Sequence, residues 1–185
     1  MMRTCLLLAL FLAALPLRAE TLVFETIAGN RETVFAEDGA KAVVLVFIDA
    51  ECPIANAYQP ELQRLEKKFG GQGLRFVMIH ADPDMVIENA KKHAKDFGIT
   101  APVCIDKDHR WVKRTGASVT PEAVVLDAEG KTLYQGRIDD RYAERGKKRA
   151  EPTVRDLDAA LADVVAGKPV KIAKTQAVGC RIFVE

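Results

Sequence analysis

Two hydrophobic periods alternate along the chain. Residues 42–48, AVVLVFI, are apolar without a break and largely β-branched, the pattern of a strand covered on both faces. Residues 74–81, LRFVMIHA, repeat it. Between them, apolar residues fall at Ile54, Tyr58, Leu62, Leu65 and Phe69, intervals of four, four, three and four that trace one helical stripe ended by Gly70-Gly71. Asp82-Pro83 reads as the cap and first residue of a second helix, with Val86, Ala90, Ala94 and Phe97 as its stripe and Gly98 as its stop. A short strand is expected at Val103–Ile105 and a short helix over about 108–115. EAVVLD and KTLYQG follow, joined by Ala128-Glu129-Gly130. A last helix is predicted from Thr153 as cap, with the stripe Val154, Leu157, Leu161, Val164 and Val165, closed by Gly167 and Pro169. Ahead of all this, TLVFETI and RETVF form a hairpin around residues 28–30.

Strands linked through helices are parallel neighbours, whereas the two late strands share a tight turn and pair antiparallel. The expected class is therefore α/β: a central mixed sheet flanked by helices, with an N-terminal β-hairpin. Residues 142–152, YAERGKKRAEP, read as a solvated charged loop.

Composition adds the compartment. Residues 1–19 have the build of an export signal: Arg3, an apolar run from Cys5 to Leu15, and Ala19 at the expected cut. That run is too short to span a bilayer, and no later run is long enough. The expectation is one domain over residues 20–185, periplasmic or otherwise extracytoplasmic, with no membrane span in the mature chain. A net charge of +1 gives no electrostatic case for nucleic acid.

Cys52, Cys104 and Cys180 follow the leader. Thiols outside the cytoplasm tend to pair, so an odd count leaves one over and points to a job beyond structure. Cys52 sits in DAECPIANAY, between a buried strand and a helix. A helix N-terminus offers free N–H groups and partial positive charge, which stabilise a thiolate. Asp49 and Glu51 oppose this if they face the sulfur. Cys104, in APVCIDKD, reads as a buried structural thiol and as the second candidate partner for Cys52. His80 is expected near the active edge of the sheet, His93 on the surface, and His109 at a helix start; Trp111 reads as packing. No His/Cys pair has ligand spacing, so neither metal nor cofactor is expected. Arg137-Ile138-Asp139-Asp140-Arg141 reads as an ion-pair network.

Pro60, eight residues after Cys52, and the Val119-Thr120-Pro121 run before EAVVLD resemble the thioredoxin-like fold. The resemblance implies a cis bond before Pro121 and a proline that faces the reactive sulfur. The chain departs from the named branches. Glu51 and Ala55 stand where thioredoxins have tryptophan and the second cysteine. Asn56 stands where copper-delivering relatives have theirs. Asp49 and Leu45 replace the Thr/Ser and proline of peroxiredoxins. ECPIANAYQPEL, VTPEAVVLD, YQGRIDDRY and TQAVGCRIF together resemble a group of exported bacterial redoxin-domain proteins, peroxiredoxin-like by label. That resemblance implies a pairing of Cys52 with Cys180. It implies a thiol–disulfide oxidoreductase with Cys52 as nucleophile, Cys180 as resolving thiol, and Thr120 and Pro121 lining a groove for a partner's extended chain. Its partners would be protein thiols or disulfides, or a small thiol or peroxide. The alternatives are a thiol peroxidase using the same cysteines, a static Cys52–Cys180 bridge, and a redox-inert or copper-handling module. The substrate, electron donor and oligomeric state stay open.

Overall fold

The computed structural model describes residues 22–34 and 39–184. The predicted leader lies outside them. β1 (Leu22–Glu25) and β2 (Arg31–Val34) form the expected hairpin. The central sheet contains β3 (Ala42–Ile48), β4 (Leu74–His80), β5 (Val103–Ile105), β7 (Glu122–Asp127) and β8 (Thr132–Gly136), in the order β5-β4-β3-β7-β8. The β3–β4 and β4–β5 pairs are parallel; β3–β7 and β7–β8 are antiparallel. The mixed α/β sheet is as the pattern predicts.

Alternation along β3 divides the core. Val44, Val46 and Ile48 meet Tyr58, Leu62, Leu65 and Phe69 on one face, with Leu157, Leu161 and Val164 from the last helix. Val43, Leu45 and Phe47 meet Phe24 of the hairpin and Trp111 and Val112 on the other. Trp111 stacks on Phe24 at 4.4 Å between ring centroids, the packing role expected of it. Burying side chains of this size contributes about 1.5–3 kcal/mol each.

The first predicted helix divides into α1 (Pro53–Ala57) and α2 (Gln59–Phe69). Pro60 has no N–H to donate to the preceding turn, so the helix breaks there. The second, α3 (Ile87–Asp96), begins later than Asp82-Pro83 suggested. Asp82 instead closes a turn, accepting the Asp84 N–H through its side chain at 2.9 Å. Val86 now precedes the helix and is exposed, and His93, expected on the surface, is buried with Ala90 on one face. α4 (Arg110–Thr115) follows His109, which takes the cap position. α5 (Asp156–Val165) begins three residues past the predicted cap. Thr153 is held by Asp140 instead, through its hydroxyl and through its N–H at 2.7 Å, and Val154 is exposed. The charged 142–152 stretch contains a small hairpin, β9 (Tyr142–Glu144) with β10 (Lys147–Lys148).

The other element that periodicity did not indicate is the pair β6 (Val119–Thr120) and β11 (Cys180–Arg181), antiparallel, with Cys180 opposite Thr120. The tail reaches this point along β8. Gln135 N–H donates to Ala173 O at 2.9 Å and Thr175 N–H to Gln135 O at 3.0 Å. A side chain at Gly136 would overlap Thr175. The tail thereby covers a strand edge that would otherwise present unpaired groups.

Candidate active site

Cys52 is the N-cap of α1. Its sulfur accepts the Ala55 N–H at 3.4 Å and lies 3.1 Å from the Thr120 carbonyl. Thr120–Pro121 is cis, as the thioredoxin-like resemblance implied. β11 lays Cys180 opposite Thr120, which makes the two thiols neighbours. Gly179 permits this approach, because a Cβ there would overlap the Thr120 carbonyl. Cys52, Thr120, Pro121 and Cys180 thus share one place. Cys104 does not join them: it is buried in the cluster under the N-terminal hairpin, and burial pushes its thiol up to about 12.

The two facing thiols are unlike. Burial pushes Cys52 up, but its hydrogen bonding with Cys180 and with the Ala55 N–H outweighs this, and the pKa falls below its ordinary value. Burial and the neighbouring Cys52 push Cys180 up to about 11. One sulfur is thus favoured as thiolate and the other as the thiol that donates to it. Asp49 accepts the Glu51 N–H at 2.8 Å, and its charge adds to the upward push on Cys180. In Cys180→Ala the midpoint of Cys52 alkylation against pH shifts upward, because the strongest of the stabilising hydrogen bonds is removed. Alanine is the diagnostic choice, since serine would still donate.

A second feature lies beneath α1. His80 and His93 pack edge to face at 5.1 Å between centroids, and neither nitrogen of the fully buried His80 has a hydrogen-bond partner. His93 Nε2 meets Asn56 Oδ1 at 2.8 Å, and the Asn56 amide donates to Ala50 O, tying the pair to the loop that leads into Cys52. The position of His80 at the end of an apolar strand was a visible signal; the burial of His93 was not. Burial, then the charge of His93, lowers His80 to about 4. The unfolded chain, with histidine near 6.5, takes up this proton first, so the contribution to stability is complete above pH 6.5 and disappears as pH falls toward 4. The full window is worth up to about 3 kcal/mol. Urea denaturation at pH 7 and pH 4.5 should show this loss, and His80→Gln should flatten it.

The remaining polar residues build structure. Arg137 Nε donates to Asp156 at 2.7 Å, Tyr58 donates to Asp139 Oδ1 at 2.5 Å, and Asp140 anchors the start of α5. The ion pairs of residues 137–141 reach outside the segment, Arg137 to Asp156 and Asp140 to Arg149, instead of joining the adjacent acids to the two arginines beside them. His109 Nε2 meets Ala81 O at 3.1 Å. No described helix is long and apolar enough to cross a membrane.

Residues 18–161 match the Redoxin family model; Cys180 lies beyond the matched segment. The thiol-disulfide oxidoreductase ResA of Bacillus anthracis is 26% identical over 96 residues, covering 51% of this chain and 54% of ResA. The chain therefore spans about half the length of the curated relatives it matches. A hypothetical protein of Sinorhizobium meliloti 1021 superposes with a TM-score of 0.76 at 29% identity, covering 91% of this chain and 93% of that one. StoA of Bacillus subtilis shares the fold at a TM-score of 0.53 and 16% identity, over 65% of this chain and 89% of StoA.

Proposed function

The chain belongs to the redoxin family, and from that premise we propose that it is a thiol–disulfide oxidoreductase cycling between a Cys52/Cys180 dithiol and a Cys52–Cys180 disulfide. The observation that carries the reading is the convergence on Thr120 of Cys52, whose sulfur caps α1 and lies 3.1 Å from the Thr120 carbonyl, and of a tail cysteine whose backbone pairs with that residue. The local second cysteine missing from position 55 is supplied from the far end of the chain. In the cycle the dithiol gives two electrons and two protons to a disulfide, leaving two thiols and the internal bridge; the reverse direction oxidises two thiols. The leader-like residues 1–19 support operation outside the cytoplasm, where the partners would be protein or small-molecule thiols and disulfides.

The protein's own β11 lies along the groove beside Thr120, with Ile182 N–H donating to Ser118 O at 3.0 Å. Strand addition by a substrate therefore requires release of the tail. The test is catalysed exchange between dithiothreitol and hydroxyethyl disulfide. Turnover above the uncatalysed rate supports the reading. Background turnover together with rapid sulfenic acid formation at Cys52 by peroxide would replace it with the peroxidase alternative.

A further inference from the structure

Cys52 is fully buried, Cys180 is half-buried, and the groove is closed by β11, so an external sulfur meets Cys180 first. Two cavities flank the cysteine-bearing strand. One, of about 280 Å³, is lined by Asp49, Glu51 and Asp82, with Arg181 among them. The other, of about 410 Å³, is lined by Arg145, Arg181 and Tyr142, with Arg137, which Asp156 pairs, at its side. Its one acidic side chain, Glu144, is paired with Lys147. Arg145 Nε is fixed on the Gly179 carbonyl at 2.8 Å, which holds its positive charge beside Cys180.

We propose that the arginine-lined cavity binds a small anionic thiol or disulfide, one bearing a carboxylate, and delivers its sulfur to Cys180 rather than to Cys52. This rests on the Cys52–Cys180 redox reading. Thiolate attack brings negative charge to the bridge, which the acidic cavity repels and the arginine side attracts. The external thiolate bonds to Cys180 Sγ, the Cys52–Cys180 bond breaks, and its electron pair leaves on Cys52 as thiolate. A second external thiolate then attacks the substrate sulfur of the mixed disulfide, releasing the substrate disulfide and Cys180. Two external thiols are oxidised and the bridge is reduced. In the opposite direction Cys180 attacks the substrate disulfide and Cys52 displaces the bound thiol from it. A sulfur leaves faster the better its thiolate is stabilised, and the Ala55 N–H at the start of α1, 3.4 Å from Cys52 Sγ, is in place to stabilise that one.

The test is stopped-flow reduction of the oxidised full chain by mercaptopropionate, mercaptoethanol and cysteamine, with rates expressed per thiolate. At low salt the anionic thiol should exceed the cationic one about tenfold, the low end of the range for electrostatic focusing. The advantage should fade as salt screens it. The pair Arg145→Gln and Arg181→Gln should bring the ratio near one, and Glu144→Gln should raise it. Equal per-thiolate rates, or a ratio indifferent to these substitutions, would overturn the cavity assignment while leaving the redox pair standing. Failure of the oxidised chain to carry a Cys52–Cys180 bridge at all would remove the reading beneath it. With Cys52→Ser, the disulfide of mercaptopropionate should leave a mixed disulfide on Cys180, detectable by peptide mass; an unmodified Cys180 contradicts the proposed entry point.

Discussion

Cys52→Ser will reduce catalysed disulfide exchange to the uncatalysed rate and leave the fold in place. The two effects separate because serine is itself a preferred N-cap. Its hydroxyl can take the Ala55 N–H that the sulfur now accepts, so α1 keeps its first turn. What disappears is the sulfur that closes and reopens the internal bridge; Cys180 alone can be held as a mixed disulfide but cannot complete the cycle. The paired measurement is exchange rate beside thermal unfolding. Complete loss of catalysis with little change in melting temperature is the expected result. Retained catalysis would place the chemistry at another thiol, and Cys104, held up near 12 by burial, is poorly suited to it.

Gly179→Val should have the other large effect, and through geometry instead of chemistry. The new Cβ would occupy the space of the Thr120 carbonyl, a backbone atom that cannot step aside as a flexible side chain could. β11 must then lift from β6, carrying Cys180 away and uncovering Cys52. Formation of the internal disulfide by a mild oxidant should slow about 10²-fold, the scale on which a misplacement of about 1 Å acts. Alkylation of Cys52 should accelerate at the same time, since the tail no longer covers it. The central sheet makes no use of Gly179, so cooperative unfolding should persist. If disulfide formation and Cys52 reactivity both match the wild type, the tail is not what brings the two sulfurs together.

Much of this was legible in the chain, for identifiable reasons. β3 is an uninterrupted apolar run and β7 carries one between Glu122 and Asp127, and a strand covered on both faces leaves that signature wherever it occurs. The α2 stripe was equally clear, but the break at Tyr58 had to come from Pro60 and not from periodicity. Asp82 and Thr153 mark the weakness of capping signals: each has the side chain of a helix cap, and each spends its hydrogen bonds on a neighbouring turn or loop. His93 is buried because it lies three residues past Ala90 on the same face of α3, a position that the stripe of apolar residues passed over. At the site, Cys52 and Pro121 carry local motifs. The position of Cys180 does not, because a two-residue strand has no period to read and its partner lies about sixty residues earlier. The resemblance of AVGC to related tails named that cysteine; the close approach of Gly179 to Thr120 is what explains its placement.

The measurement that bears most directly on the account is a disulfide map of the chain after stoichiometric oxidation and again after mild reductant, by peptide mass. The account predicts a Cys52–Cys180 bridge with Cys104 free, and opening of that bridge in the native protein under mild reductant. A bridge from Cys52 to Cys104, a free Cys52, or a Cys52–Cys180 bridge that opens only on unfolding would contradict it.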